Sequence, residues 1–351
     1  MKDIHEIIAL AVEKGASDVH LICGLPVKCR IDGSICTLDG QTLTPEDCER
    51  YARALAGERY DAITQIGQLD FAASFAGGVR TRVNLFRQQG SVSAAIRILA
   101  DRIPELEELG LPPVVESFAE YRSGIVLVTG ETGSGKSTTL AAMLDRINRT
   151  RSGHIITLED PIEYVYTPDR CIINQREIGK DTESYPAGLR AILREDPDVI
   201  LIGEMRDLET IDTALTAAET GHLVFATLHT GSAAESVDRM VNVFPEGRQR
   251  QIRMQVSTSL RAVLSQQLLP RKSGRGRAAA CEVMVVNSAI RNLIREDKTP
   301  QIDSFITMNG QSGCITMDAA LQQLVKNGTI SRQTAREYCR DPEKFDAVPR
   351  Y

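Results

Sequence analysis

Tryptophan is absent from the 351 residues and aromatic side chains make up only 5%, which leaves little material for the stacking platforms that hold single-stranded nucleic acid. A basic excess is missing too. The formal net charge is −6, so the chain as a whole has no electrostatic footprint for nucleic acid, and a polynucleotide site would have to be a local patch. No CxxC occurs. The eight cysteines stand at 23, 29, 36, 48, 171, 281, 314 and 339, too scattered for a zinc ribbon or a thioredoxin-like motif, and with no secretory signal they read as free thiols of a reducing cytoplasm. No run approaches the roughly 18 apolar residues of a membrane-spanning helix, so any membrane role is expected to be peripheral. At the amino terminus Ile4, Ile7, Ile8, Ala11 and Val12 recur at helical spacing. With charges on the remaining faces, that is an amphipathic helix on a core.

What is present is an ordinary globular composition, 42% apolar and 25% charged. Its length suggests two domains at roughly 150 residues each. Residues 1–100 predict a small α/β domain with two helices and a mixed sheet. Val27–Ile31 and Ser34–Leu38 flank Asp32-Gly33, a two-residue hairpin signal. Thr44-Pro45-Glu46-Asp47 opens a helix with a capping threonine, a proline suited to the first turn and acids at the positive end of the dipole. Three strand-like runs follow at Leu69–Phe75, Val79–Arg87 and Ser91–Leu99. Residues 101–113, with three prolines and a glycine among charges, read as a hinge linker. From Val114 apolar strands alternate with helices, the pattern of a parallel sheet: Ile125–Thr129, Ile155–Leu158, Val199–Ile202 and Leu223–Thr227. The core domain is set at 114–270. The chain is expected to turn helical from Glu246, with a mainly helical subdomain at 271–351, helix starts at Asn287, Thr316 and Ser331, and a stop at Gly328.

One motif carries the strongest chemistry. Gly130-Glu131-Thr132-Gly133-Ser134-Gly135-Lys136-Ser137-Thr138 follows the strand GIVLV and opens the helix TTLAAMLDRI. GxxxxGK[ST] uses glycines so that backbone N–H groups wrap a phosphate, with Lys136 reaching the β and γ phosphates and Ser137 holding Mg²⁺. The bare pattern arises by accident in about one chain in a hundred of this length, and the flanking strand and helix lower that further.

A phosphate cradle needs a carboxylate to polarise water, and parallel sheets deliver ligands at the carboxyl ends of strands. Two acid clusters stand there: Glu159-Asp160-Pro161-Ile162-Glu163 after HIITL, and Gly203-Glu204-Met205-Arg206-Asp207 after VILI. Glu204, directly after the longer apolar run, is the better placed. Two of the five histidines, His222 and His229, bracket a third strand and so belong at its opposite ends. His229, on the phosphate side, is a candidate γ-phosphate sensor or inter-subunit contact. In the first domain Arg80, Arg82 and Arg97 point away from their own core by strand parity. They form either a solvated basic face or arginine fingers for a nucleotide held elsewhere.

These boxes resemble the secretion ATPases of type II secretion and type IV pili, and the resemblance covers almost the whole chain. ASDVHL at 16–21 and RIDGSI at 30–35 resemble the family's PAS-like amino-terminal domain. GETGSGKST is similar to its Walker A, ITLEDPIEY at 156–164 to its Asp box, LREDPDVILIGEMRD at 193–207 to its Walker B, and TGHLVFATLHT to its His box. VFPEGRQRQIRMQVSTSLRAVLSQQLLP at 243–270 follows the pattern, and AIRNLIRE at 289–296 resembles the motif of the pilus-retraction branch.

The resemblance implies a PAS-like domain joined to a RecA-like P-loop ATPase domain with a helical carboxyl-terminal subdomain, assembled as a homohexamer around ATP and Mg²⁺. The nucleotide contacts would be Gly130, Thr132, Gly133, Ser134, Gly135, Lys136, Ser137, Thr138 and Glu159, with Arg80, Arg82, Arg97, His222 and His229 meeting nucleotide or the adjacent subunit. Catalysis would rest on Glu204, Glu163 and Lys136, with Glu204 and Ser137 near the metal, partly through water, and Glu163 activating water. Pilus retraction would follow from work done on an inner-membrane platform protein, with a retraction paralogue as a further partner. The motor would sit in the cytoplasm, peripheral to the inner membrane.

Departures from the pattern are modest: Glu131 for a frequent Pro, Cys281 in ACEVM for His, Asn242 for Asp and Cys314 for Met. The rival readings are an assembly or type II secretion motor, a RecA-like nucleic-acid motor and a small-molecule phosphotransferase. The nucleic-acid motor has only the basic stretch Arg271–Arg277 in its favour, which reads first as an exposed turn.

Overall fold

Strand Arg80–Gln88 buries Thr81, Val83 and Leu85 while Arg80 and Arg82 face the other way, the period-2 pattern of a sheet with one face on a core. The structure, a computed structural model, describes residues 2–99 and 102–347; Met1, Ala100, Asp101 and 348–351, which fall in the expected first domain, linker and terminal subdomain, lie outside them. The chain divides into two compact units, Met1–Arg102 and Ile103–Tyr351.

The first unit runs α1 (Ile4–Glu13), β1 (Asp18–Leu21), β2 (Pro26–Ile31), β3 (Ser34–Thr42), α2 (Pro45–Ala56), α3 (Tyr60–Ile66), β4 (Gln68–Ser74), β5 (Arg80–Gln88) and β6 (Ser91–Ile98). Its sheet has the order β3-β2-β1-β6-β5-β4. Every pairing in it is antiparallel, which corrects the expected mixed sheet. The reason lies in β1: this four-residue strand joins the two hairpin groups by pairing Asp18 with Arg97, a partner too distant in sequence to leave a local signal. The short helix α3 was not expected either. Asp32 and Gly33 both take positive φ, 47° and 88°, as a type I′ hairpin turn requires. At α2 the Thr44 hydroxyl accepts the Asp47 N–H at 3.2 Å and the Asp47 carboxylate accepts the Thr44 N–H at 3.0 Å, a reciprocal cap.

The second unit is a doubly wound α/β domain. In order it carries β7 (Gly124–Thr129), α4 (Lys136–Thr150), β8 (Gly153–Glu159), β9 (Cys171–Glu177), α5 (Tyr185–Ile192), β10 (Val199–Ile202), α6 (Leu208–Glu219), β11 (Leu223–Leu228), α7 (Ala233–Asn242), α8 (Glu246–Ser259), β12 (Leu260–Pro270) and β13 (Arg277–Val285). Among the described residues the last α-helices are α9 (Ser288–Arg295), α10 (Ile302–Met308), α11 (Met317–Lys326), α12 (Arg332–Tyr338) and α13 (Pro342–Ala347). The seven-stranded sheet has the order β13-β12-β7-β11-β10-β8-β9. All its pairings are parallel except that of β13 on β12.

Every residue of β7, β10 and β11 is buried, because helices cover both faces of the sheet and uninterrupted apolar runs are what such strands require. Alternate residues divide between two cores. Ile125, Leu127, Ile200, Ile202, Val224 and Ala226 pack with α5 to α10. Val126, Val128, Val199, Leu201 and Phe225 pack with α4.

β12 and β13 correct the expectation of helix from Glu246 onward. α8 passes straight into β12 at Ser259–Leu260 without a glycine or proline to mark the change. The alanine-rich run of β13 has little strand propensity of its own, and pairing with the sheet overrides it. The closing helices start where expected, with the side chains of Asn287, Thr316 and Ser331 accepting the N–H groups of Ile290, Ala319 and Thr334. Most of the expected linker is docked within the second unit: Leu106 is buried, Glu105 pairs with Arg149 at 2.5 Å and Glu107 with Arg146 at 2.7 Å. Among the described residues no helix is long and apolar enough to cross a membrane.

Candidate nucleotide site

Four loops leave the same edge of the second sheet. Thr129 is in register with Leu228, Ile202 with Ala226, and Ile202 also with Leu158. The segments beginning at Gly130, His229, Gly203 and Glu159 therefore emerge side by side at the carboxyl ends of β7, β11, β10 and β8, where open α/β sheets bind ligands.

Glycine is required in the first of these loops. A Cβ on Gly130, whose φ is 139°, would lie 2.3 Å from the Gln266 carbonyl oxygen and 2.6 Å from Ser134 Oγ. At Gly135, φ 93°, it would lie 2.8 Å from Gln266 Nε2. Gln266, on β12, therefore sits directly against the loop, and its Oε1 accepts the Thr139 hydroxyl at 2.9 Å. Gly130→Ala is expected to lower the thermal midpoint by at least about 3 °C. Calorimetry showing an unchanged midpoint would remove this crowding argument.

Lys136 is buried, and its Nζ donates to the carbonyls of Gly130 at 2.8 Å and Glu131 at 2.9 Å. Burial pushes its pKa down, while the nearby charges of Glu204 and Glu163 pull the other way. The segments that carry the three predicted catalytic side chains thus leave the same edge of the sheet. α4 begins at Lys136 with Gly135 as its cap residue and no side-chain cap, so its leading N–H groups are left for an anion. Ser134 Oγ is buried without a hydrogen-bond partner. A glycine-lined cradle, an orphaned hydroxyl, an uncapped helix start and a lysine amine together fit a polyphosphate. Ser137, in the first turn of α4, is exposed, as are Thr132 and Gly133 in the loop. Thr138 is tied by a 2.8 Å hydroxyl contact to Tyr164, which docks the loop after β8 onto the start of α4.

Glu204 lies 2.6 Å from Arg206 Nε and 3.3 Å from His229 Nε2. Partial burial raises its pKa, but Arg206 and His229 outweigh that and hold the carboxyl below its ordinary value. It is an ionised carboxylate with a cation and an imidazole attached. Glu159 is different. It is buried, burial raises its pKa, and its Oε1 accepts the Thr157 hydroxyl at 2.6 Å and the Gln175 amide at 3.2 Å. Those bonds make it a brace for the loop that carries Glu163.

His222, expected to meet nucleotide or the adjacent subunit, lies at the other edge of the sheet. It precedes β11, its Nδ1 lies 2.9 Å from the Ala217 carbonyl and its own carbonyl accepts the Gly124 N–H at 3.0 Å. Both neighbours belong to the amino edge of the sheet, about 20 Å from the carboxyl edge along a six-residue strand, so it does not join the phosphate loop of its own chain. On the first unit Arg82 and Arg97 are directly opposite in register, and each is answered by an acid: Arg82 by Asp70 at 2.7 Å and Arg97 by Asp18 at 3.1 Å. Arg80 begins the same strand, half-buried.

Two contacts were not foreseen. Arg206 could have been read from its place two residues after Glu204. Gln266 could not, since its partner Thr139 is 127 residues away.

Sheet order, loop and strand-end acids define a P-loop nucleotide-binding protein of the RecA-like class. The chain belongs to the Type II/IV secretion system protein family, whose model matches residues 1–338. It is 47% identical over 344 residues to the Pseudomonas aeruginosa "Type IV pilus retractation ATPase PilT", covering 98% of this chain and all of that one. It is 37% identical to "Type IV pilus ATPase PilU" of the same organism, covering 95% of this chain and 87% of the relative. A crystal structure of the pilus retraction motor PilT with bound ADP superimposes with a TM-score of 0.90 at 49% identity, over 99% of this chain and all of the other.

Proposed function

We propose that this protein is an ATP-hydrolysing motor that powers retraction of a type IV pilus. The observation that carries the reading is that the segments bearing Lys136, Glu204 and Glu163 leave one edge of the sheet side by side, in a chain similar over 98% of its length to a retraction ATPase. ATP would be held by the backbone of residues 130–135, by Lys136 and by Thr138. Mg²⁺, which would neutralise developing phosphate charge when bound, would be shared by Ser137 and Glu204, partly through water. Glu163 would orient the attacking water, and His229, already touching Glu204, would sense the γ phosphate.

Arg80, Arg82, Arg97 and His222 would serve a neighbouring copy, which requires a ring; a homohexamer is the form proposed. Mass photometry at micromolar protein with ADP is expected to give six times the chain mass, and a monomer at all concentrations would count against it. Work is delivered to an inner-membrane platform protein from the cytoplasmic side, withdrawing pilin from the base of the fibre. The higher identity to PilT than to PilU favours the main retraction motor over its paralogue. Deleting the gene tests the reading: cells with abundant surface pili that neither retract nor twitch support it, whereas bald cells would assign the chain to assembly.

A further inference from the structure

Glu282, on β13, is a wholly buried carboxylate outside the nucleotide site. Its Oε1 accepts the N–H of Ala233, the first residue of α7, at 2.8 Å, and its Oε2 accepts that of Met317, the first residue of α11, at 3.4 Å. Burial pushes the pKa of this carboxyl group up, and the two helix amino termini that converge on it favour its charged form. The countercharge is Arg340, just beyond α12, whose Nη1 lies 3.0 Å from Glu282 Oε2 and 3.6 Å from Asp303 Oδ1. The same guanidinium donates through Nη2 to the Gly231 carbonyl at 3.0 Å. The backbone N–H of Arg340 is anchored on Asp318 Oδ1 at 2.9 Å.

Gly231 follows His229 by two residues, and His229 is the side chain that meets Glu204 at 3.3 Å. From inside α7 the loop is held by the Gly231 N–H on Glu235 Oε2 at 2.8 Å and by Thr230 Oγ1 against Ser236 Oγ at 2.7 Å. Arg340 holds the carbonyl of that same residue, in the next peptide unit. A planar guanidinium can grip a carboxylate and a carbonyl in fixed directions at once, which a point-charge ammonium cannot. The family model ends at residue 338, two residues before this contact.

We infer that Arg340 is a positioning residue for the nucleotide site: by gripping Glu282 and the Gly231 carbonyl together, it fixes the loop that presents His229 to Glu204. Turnover therefore depends on the segment that follows α12. The inference rests on the hydrolytic role proposed for Glu204 and His229.

The test compares full-length wild type with Arg340→Ala and Arg340→Lys by hydrogen–deuterium exchange and steady-state ATPase kinetics. In Arg340→Ala the peptide spanning 229–236 is expected to exchange about tenfold faster, and kcat to fall about tenfold with KM changed by less than about twofold, within the range of remote positioning effects. Exchange at 229–236 and kcat both as in wild type would overturn the inference. So would faster exchange confined to α11 and α12, the mark of a merely structural tie. Should the alanine variant not fold, Arg340→Lys is read in the same way, with about threefold effects expected. A wild type that binds ATP without hydrolysing it would defeat the proposed function, while the exchange comparison would still decide the role of Arg340.

Discussion

Lys136→Ala is expected to lower ATP affinity at least about a hundredfold and to abolish measurable turnover, because the side chain supplies the positive charge of the cradle. The geometry explains why no other group replaces it. The ammonium is buried, is held at 2.8 Å and 2.9 Å by two carbonyls of its own loop, and feels the carboxylates of Glu204 and Glu163. Its removal takes a buried positive charge from beside two acids, which raises the electrostatic cost of bringing a polyphosphate to the same edge. Lys136→Arg is not expected to rescue, since the larger planar head does not fit a space shaped for a point charge. Titration of a fluorescent ATP analogue checks the binding arm, and near-native affinity in Lys136→Ala would overturn the assignment.

Glu204→Gln separates binding from chemistry. Affinity for ATP is expected to stay within about threefold of wild type while kcat falls at least about a hundredfold. The neutral amide keeps the volume, so the strand end and loop survive. What disappears is the charge that draws Arg206 to 2.6 Å and His229 to 3.3 Å. Because those two partners hold the Glu204 carboxyl below its ordinary value, it stays ionised through the weakly acidic range, down to about pH 5. A loss of activity between about pH 7 and 5 must then belong to another group. Turnover in Glu204→Gln within about tenfold of wild type would sink the role.

Much of the site was legible because its signals are local. The phosphate loop, the acids after β8 and β10, and the histidines around β11 each announce themselves within a dozen residues, and parallel topology does the rest by aligning strand ends. Parity placed Arg82 and Arg97 on the outer face of their sheet, and turn chemistry placed Asp32 and Gly33. What stayed hidden depends on pairing across long separations. β1 is too short to declare itself, and its partner β6 makes the first sheet wholly antiparallel. β12 follows α8 without punctuation, and Gln266 matters only because β12 lies beside β7. The contact of Arg340 with Gly231 spans 109 residues and has no pattern that a window could detect.

One feature of the second sheet has a mechanical meaning. β11 is six residues, all buried, and is flanked in parallel register by β7 and β10. It carries a histidine beyond each end. A strand clamped on both sides and both faces can neither coil nor shorten, so it behaves as a stiff rod. The loop of His229 and the turn of His222 are therefore held about 20 Å apart, the length of a six-residue strand. The two histidines are thus set at opposite rims of one rigid element, so that a displacement at one rim reaches the other only with the sheet as a whole.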